Sequence, residues 1–125
     1  MKMSEFFKSI IDTDLCAVVI CDLNHKIIYM NPAAVDRYSK SGGASLIGKS
    51  ILDCHNAGSG SIIKDIVEWF KEDKSNNRVY TFHNVKENKD VYMVALRNEN
   101  DELIGYYEKH EYRNAETAKI YDYKK

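Results

Sequence analysis

Residues 62–73 constrain the fold of this chain more than any other stretch. Their large apolar side chains recur three and four residues apart with charged residues between them, which is the pattern of an amphipathic helix. A Gly/Ser-rich segment at residues 58–61 precedes them and predicts a turn in which Ser59 or Ser61 caps the helix. Segments with strand character lie on both sides, so we expect this helix to cover a sheet.

Five segments of the chain have the composition of strands. Two β-branched segments flank a short polar turn and predict a hairpin, and three more follow the central helix with polar turns between them. Two further helices are expected at residues 3–11, with Ser4 as the N-cap, and at residues 32–38, where Asn31 and Pro32 are a favoured N-cap and first residue. The strand segments are residues 17–22, 27–31, 78–85, 91–97 and 103–113.

This order of elements predicts an α+β domain with one antiparallel sheet and helices on one face of it. The space between sheet and helices is a natural ligand cavity. We divide the chain into an N-terminal amphipathic helix (residues 1–14), the domain itself (residues 15–114) and a C-terminal tail (residues 115–125).

The composition excludes several classes of function. A net charge of -1 gives no electrostatic basis for binding nucleic acid or an anionic membrane. No apolar run approaches the roughly 20 residues that span a bilayer, and the first residues lack a signal-peptide core. Three cysteines without a CxxC spacing favour a reducing cytoplasm over a disulfide scaffold or structural zinc. No catalytic motif is present, so we expect no enzyme.

Several short sequence words resemble those of a PAS domain. They are Tyr-Met-Asn-Pro-Ala-Ala at residues 29–34, Leu-Ile-Gly-Lys-Ser at 46–50 and the turn into the last strand at 98–105. The resemblance covers residues 15 to 114. The Asp-Cys-His-Asn word at 53–56 is similar to a PAS subgroup of bacterial signalling proteins.

The resemblance implies a PAS fold: a five-stranded antiparallel sheet in the order 2-1-5-4-3. It implies small-molecule or redox sensing, and dimerisation through the N-terminal helix or the sheet face. PAS proteins usually pass their signal to a kinase, cyclase or DNA-binding domain. Because nothing of that size follows residue 114, the chain is expected to be either a free-standing PAS protein or a piece of a larger one.

Cys54 and His55 are the sharpest candidates for chemistry. Thiolate and imidazole are both ligands of haem iron, and some PAS domains bind haem through a histidine in this region. The alternative is a buried, inert cysteine beside a histidine that caps the turn. Covalent flavin photochemistry is not expected from this resemblance, because Cys54 lies outside the Asn-Cys-Arg-Phe-Leu-Gln word that such light sensors carry after the glycine. Nothing in the sequence supports a noncovalent flavin.

We expect the cavity to lie between the sheet and residues 32–38 and 61–73. Strand alternation puts some tyrosines inside and some on an outer face that would suit a dimer; in residues 78–85 it puts Tyr80 and Phe82 on the same face. The candidate cofactor- or ligand-binding residues are Cys54, His55, Asn56, Tyr29, Ile66, Tyr92 and Tyr106. The further expected wall residues are Val19, Cys21, Val35, Ile51, Ile62 and Val94.

The sequence therefore predicts a cytoplasmic PAS module that binds a small molecule and signals as a homodimer or through a signalling partner. Two alternatives stay open. One is a ligand-free PAS domain that serves only dimerisation and partner binding. The other is a haem-binding redox or gas sensor that uses His55 or Cys54.

Overall fold

The structure is a computed structural model that describes residues 2–54 and 57–124. A helix precedes a strand hairpin, a group of short helices follows, and a long helix leads to three more strands. The elements are α1 (Met3–Thr13), β1 (Val19–Asp22), β2 (Ile27–Met30), α2 (Pro32–Arg37), three single turns of 3-10 helix (Ser39–Ser41, Gly43–Leu46 and Ile51–Cys54), α3 (Ala57–Glu72), β3 (Arg78–Asn84), β4 (Lys89–Arg97) and β5 (Leu103–Tyr112).

The five strands form one antiparallel sheet in the order β2-β1-β5-β4-β3, which confirms the predicted order. We call the side of the sheet that faces α2 and α3 the inner face, and the opposite side the outer face. The core lies on the inner face, where side chains of β1, β2, β4 and β5 meet α2 and α3. Its buried members include Cys21, Met30, Ala34, Val67, Phe70, Met93 and Tyr106.

Gly105 sets how closely β5 approaches β1. A Cβ atom at this position would lie 2.3 Å from the carbonyl oxygen of Cys21, so only glycine fits here. The last strand can then pair with β1 on one side and β4 on the other, which joins the two halves of the sheet.

Helix α3 begins earlier than the sequence predicts. It starts at Ala57, so Gly58, Ser59 and Gly60 are helical and neither Ser59 nor Ser61 is its N-cap. A glycine inside a helix costs about 1 kcal/mol relative to alanine. Gly60 is buried, and a Cβ atom there would lie 3.8 Å from the side chain of Leu52. The low helix propensity of these glycines therefore does not stop α3 from beginning at Ala57.

Two other local predictions are wrong. The N-cap of α1 is Lys2 rather than Ser4, and no capping hydrogen bond from its side chain is found among the described residues. Tyr80 and Phe82 do not share a face, because the register shifts between them: Tyr80 pairs with Tyr92 and Phe82 pairs with Val91. Such a bulge inserts one residue and reverses the alternation that follows it.

Asn31 ties α1, β1 and α2 together. Its side chain is fully buried, and its Oδ1 accepts hydrogen bonds from the backbone N–H groups of Val18 and Ala34 at 2.9 Å each, the second of which caps α2 as predicted. Its Nδ2 donates to the backbone carbonyls of Ile11 (2.9 Å) and Cys16 (3.0 Å). The entry to α2 and the linker after α1 are thus held by one amide.

Arg97 anchors the other end of α3. Its guanidinium donates to the carbonyl of Phe70 at 2.7 Å, to those of Asp73 and Asn76 at 3.2 Å each, and to the side chain of Asn77 at 2.7 Å. A cation among the free carbonyls at a helix C-terminus is favourable. This contact fixes the C-terminal end of α3 against β4.

Candidate functional site

A cavity of about 250 Å³ lies between the inner face of the sheet and the short helical turns. Apolar side chains form most of its wall, and a few polar groups interrupt them. Strands β1, β2 and β5 supply one side, and the segment from α2 to the turn before α3 supplies the other. Its lining residues are Ala17, Val19, Ile27, Met30, Tyr38, Ser41, Leu46, Ile51, Cys54, Glu108 and His110.

A carboxylate and an imidazole form the polar part of this wall. Alternation along β5 puts Glu108 and His110 on the inner face, where they pair across the sheet with Met93 and Val91. The Nε2 atom of His110 lies 3.0 Å from Oε1 of Glu108. Because a carboxylate only accepts hydrogen bonds, this contact assigns the proton to Nε2. His110 is buried, so the imidazole is held rigidly beside the carboxylate.

Tyr38 completes the polar wall. Burial raises the pKa of its phenol, and the nearby carboxylate of Glu108 raises the pKa further. Both effects disfavour the phenolate. The hydroxyl therefore stays protonated, although its hydrogen bond with Arg37 lowers the pKa in part.

A second charged group lies deeper on the inner face. Lys89 is only 1% exposed, and its Nζ lies 3.3 Å from Oε2 of Glu87 without hydrogen-bond geometry to any described residue. Arg37 donates two hydrogen bonds of 2.8 Å to the same carboxylate. These bonds, more than the neighbouring lysine, lower the pKa of Glu87 to about 2. The charge of Lys89 is thus matched by a carboxylate outside the cavity wall.

Three titratable groups at the opposite end of the sheet are structural. Burial raises the pKa of the Cys21 thiol to about 12 and raises that of the Tyr106 phenol as well. Nδ1 of His25 lies 2.8 Å from the Tyr106 hydroxyl, and burial lowers the pKa of this histidine. All three groups are therefore neutral at pH 7, and they close the core beneath the β1–β2 turn.

The structure brings only some of the sequence-predicted site residues to the cavity. Cys54 lines it, as do the expected wall residues Val19 and Ile51. His55 and Asn56 lie outside the described residues. Whether a predicted residue lines the cavity depends on the face of the sheet it occupies and on how the helices pack over it.

The remaining candidates do not line this cavity. Ile66 and Tyr106 belong to the packed core beside it. Tyr29 and Tyr92 face the outer side of the sheet, because they pair with Ile20 and Tyr80, whose register positions are on that face. Tyr29 donates a hydrogen bond to Asp12 of α1, and Tyr92 accepts one of 2.7 Å from Arg113. Cys21, Val35, Ile62 and Val94 are also absent from the described lining.

Glu108, His110, Tyr38 and Ser41 line the cavity but are not among the site residues predicted from the sequence. The alternation of β5 carried part of the signal, since Tyr106, Glu108 and His110 share one face. No sequence pattern tells that the packed core ends at Tyr106 and that open space begins at Glu108.

The outer face near β3 carries a network of charges. Asp90 accepts hydrogen bonds from Arg113 (2.6 Å), Tyr80 (2.7 Å) and His83 (2.9 Å). The guanidinium of Arg113 is the main cause of the lowered pKa of Asp90. Arg78 stacks on the ring of Tyr92 at 4.0 Å. This part of the outer face satisfies its own polar groups within the sheet.

A second cavity of about 260 Å³ separates α1 from the outer face. Ile10 and Ile11 of α1 line it on one side, and Ile20 and Tyr107 line it on the other. Ala17 and His110 contribute to this cavity and to the first one. These two residues therefore lie between the inner cavity and the surface on which the N-terminal helix packs.

Helix α1 lies on the domain through its polar side. Asp12 accepts hydrogen bonds from Lys8 and from Tyr29, and Lys8 lies over the Tyr29 ring at 5.7 Å. The N-terminal part of the apolar stripe is uncovered, and Phe6 and Phe7 are 48% and 57% exposed. Ile10 and Ile11 at its other end border the second cavity. The same stripe includes Met3 and Ile10, which are also exposed.

Within residues 2–54 and 57–124, no group of three or more His, Cys, Asp or Glu side chains is placed to hold a metal ion. The described helices also include none with the length and apolar character to cross a bilayer. All three cysteines are free.

Known structures share this architecture. The PAS domain of a protein from Colwellia psychrerythraea has a TM-score of 0.65 at 17% identity, over 90% of this chain and 98% of that one. The PAS domain of BvgS from Bordetella pertussis has a TM-score of 0.58 at 16% identity, over 90% and 88%. An RNA-binding light-oxygen-voltage receptor has a TM-score of 0.60 at 14% identity, over 87% of this chain and 32% of the receptor. No family model and no curated protein matches the sequence.

Identities in this range establish the fold alone. The strand order, the short helices over the inner face and the long helix before β3 all belong to that fold, as the sequence words at 29–34 and 46–50 predicted. The chain therefore has the fold of a PAS domain.

Proposed function

We propose that this protein is a sensory module that binds a small molecule between its sheet and its short helices. The observation that carries the proposal is the inner cavity, which combines an apolar wall with the Glu108–His110 pair. Small-molecule sites are commonly concave and mostly apolar, with a few polar groups that orient the ligand.

The size of the cavity limits the ligand. Pockets for drug-sized molecules measure about 300–1,000 Å³, whereas a dry cavity of about 150 Å³ holds benzene. A volume of about 250 Å³ lies between them and favours a molecule with one ring or a short chain. Haem, the cofactor that the sequence suggests for Cys54, is too large for this cavity unless the cavity enlarges.

A route for the signal runs from the cavity to α1. Ala17 and His110 line both cavities. A ligand that displaces either residue therefore changes the surface on which α1 packs. Binding shifts a conformational equilibrium only if the ligand prefers one of the two states. In this proposal the occupied state holds α1 in a different position from the empty state.

The proposed readout is self-association through α1. Its exposed stripe of Phe6, Phe7 and neighbouring apolar residues is the kind of surface that marks an interaction site. The outer sheet face near β3, the other predicted dimer surface, is already occupied by ion pairs of Asp90 and Arg113. The stripe therefore favours a second copy of this chain over a sheet-to-sheet dimer.

The same proposal includes a cytoplasmic location, a bacterial signalling role and a downstream signalling partner. Three free cysteines suit a reducing compartment. A ligand-free interaction module is the alternative function, and the inner cavity is the observation against it, because such a module has no need of open space inside its core.

A variant that fills the cavity tests the proposal. Val19→Phe adds volume to the cavity wall on β1, and Ile28→Phe adds the same group type at an exposed position of β2. Native mass spectrometry of the purified chain should detect a bound molecule, lost in Val19→Phe and retained in Ile28→Phe. A chain that carries no extra mass and binds no compound from a library of single-ring molecules would favour the interaction module.

A further inference from the structure

The charge of the inner cavity wall points to one class of ligand. Among the described lining residues, Glu108 is the only one that carries a carboxylate, and none is a lysine or an arginine. The nearest buried cation, Lys89, is a diagonal neighbour of His110 across β4 and β5, and it pairs with Glu87. Arg37 lies beside the Tyr38 ring, but its guanidinium is paired with Glu87. An anionic ligand would therefore meet a carboxylate in the wall, while the neighbouring cations are already paired with another carboxylate.

Glu108 has acceptor capacity left over. Its Oε1 is used by His110, whereas Oε2 has no hydrogen bond to any residue within 2–54 and 57–124. A carboxylate offers about four lone-pair sites. His110 fixes the orientation of the carboxylate, so the free oxygen is held at the cavity wall before a ligand arrives. The Glu108 side chain is 34% exposed, so water reaches its free oxygen, and a donor on the ligand would replace that water.

The rest of the wall sets the body of the ligand. Ile27, Met30, Leu46 and Ile51 surround the space with aliphatic and thioether groups. A ligand gains free energy by burying apolar surface there, in proportion to the area removed from water. One polar head on an apolar body matches this distribution.

We infer that the cavity takes a small apolar molecule whose head group donates a hydrogen bond to Glu108, and that it rejects carboxylates. This inference rests on the proposed sensor function and specifies its ligand class. Amines and alcohols share the donor chemistry. A protonated amine makes a charge-assisted bond, which is about twice as strong as the neutral bond of an alcohol.

Four probes of matched size test the inference: benzylamine, benzyl alcohol, toluene and benzoate. Their Kd values for the full chain are measured by titration calorimetry or by NMR shifts of the inner-face amides. We expect benzylamine to bind about tenfold more tightly than toluene, benzyl alcohol to lie between them, and benzoate to be weakest. In Glu108→Gln, which keeps an acceptor but removes the charge, the advantage of benzylamine over toluene should shrink to that of benzyl alcohol while the Kd of toluene stays within about twofold.

Glu111→Gln is the matched control, because Glu111 is a carboxylate of the same strand that faces the outer side. It should leave the order of the four probes unchanged. The order measured on the unaltered chain tests the inference even where a variant does not fold.

The possible failures are separable. If toluene binds but benzoate matches or exceeds benzylamine, the cavity binds ligands and the inferred class is wrong. If Glu108→Gln leaves the advantage of benzylamine intact, Glu108 is not the anchor and the inference fails. If none of the four probes binds at millimolar concentration, the proposed sensor function and the inference fail together.

Discussion

Helices α1 and α3 have the same kind of apolar periodicity, but the apolar side is buried in α3 and largely exposed in α1. Helix α3 turns its stripe to the sheet, where Phe70 is fully buried and Val67 nearly so. Helix α1 binds the domain through Asp12 on its polar side and leaves Phe6 and Phe7 exposed. Periodicity predicts that a helix forms and that it has an apolar side. It does not tell what covers that side.

The two helices also differ in how they are attached. The carbonyls at the C-terminal end of α3 accept hydrogen bonds from Arg97, so polar contacts reinforce its buried stripe. The attachment of α1 relies on the amide of Asn31 and the Asp12–Tyr29 contact. We therefore expect α3 to be part of the cooperative fold and α1 to be a separable element.

The largest expected effect comes from removing an aromatic ring from each helix. Phe70→Ala should lower the free energy of unfolding by about 3–5 kcal/mol, because it opens a void in the core. Phe7→Ala should change it by less than about 0.5 kcal/mol, as is usual for an exposed position. Urea denaturation of both variants, under conditions where the chain is monomeric, measures the difference.

Self-association should depend on the exposed stripe of α1 and not on the buried stripe of α3. Phe7→Glu puts a charge in the exposed stripe and should shift the mass in light scattering from dimer to monomer, whereas Ser9→Glu, an added charge off the stripe, should not. A Phe7→Glu chain that keeps the parent mass would remove α1 as the dimer surface.

An intermediate effect is expected at Asn31. Asn31→Asp keeps an acceptor for the Val18 and Ala34 N–H groups but loses the donor to the carbonyls of Ile11 and Cys16. We expect a loss of roughly 1–3 kcal/mol, the usual cost of buried polar groups left unpaired. Helix α1 should also detach.

Trypsin cleavage after Lys8 reports that detachment. The cleavage rate should rise strongly in Asn31→Asp while the amides of β4 and β5 keep their exchange protection. Equal loss of protection in α1 and in the sheet would mean that α1 is no separable element.

The smallest effect concerns the pH dependence of the α1 contact. Lys8, and then the hydroxyl of Tyr29, lower the pKa of Asp12 below its ordinary value of 3.8. Its contribution is therefore complete above pH 3.8 and is lost as the pH falls through the lowered pKa. Amide exchange of α1 should accelerate in that acidic window, and Tyr29→Phe should weaken the dependence. An exchange rate that follows only the intrinsic acid catalysis would exclude this contact.

Much of the fold could be predicted from the sequence because the relevant signals are local. Asn31 and Pro32 specify the start of α2 through one side-chain acceptor and one missing N–H, and the structure contains that cap. Polar turns separate the strands at nearly the predicted bounds. The start of α3 escaped prediction because the low helix propensity of glycine favours a turn at residues 58–61, whereas these residues are helical.

The candidate site was less predictable for a physical reason. Tyr106 and Glu108 share a face of the same strand, but one is sealed in the core and the other borders open space. That difference depends on how far α3 and the short helical turns reach across the sheet. No residue pattern within β5 carries this information.

The pairing of β5 also has a consequence for the order in which the chain can fold. The hairpin of β1 and β2 and the hairpin of β3 and β4 have no strand in common, and among the described strands only β5 pairs with both. During synthesis from the N-terminus, the two hairpins thus remain unjoined until residues 103–112 leave the ribosome. The contacts between β1 and β5 span most of the chain, and such long-range closure is slow. The nascent chain therefore exposes unpaired strand edges up to its final strand, a state in which chaperones or aggregation compete with folding.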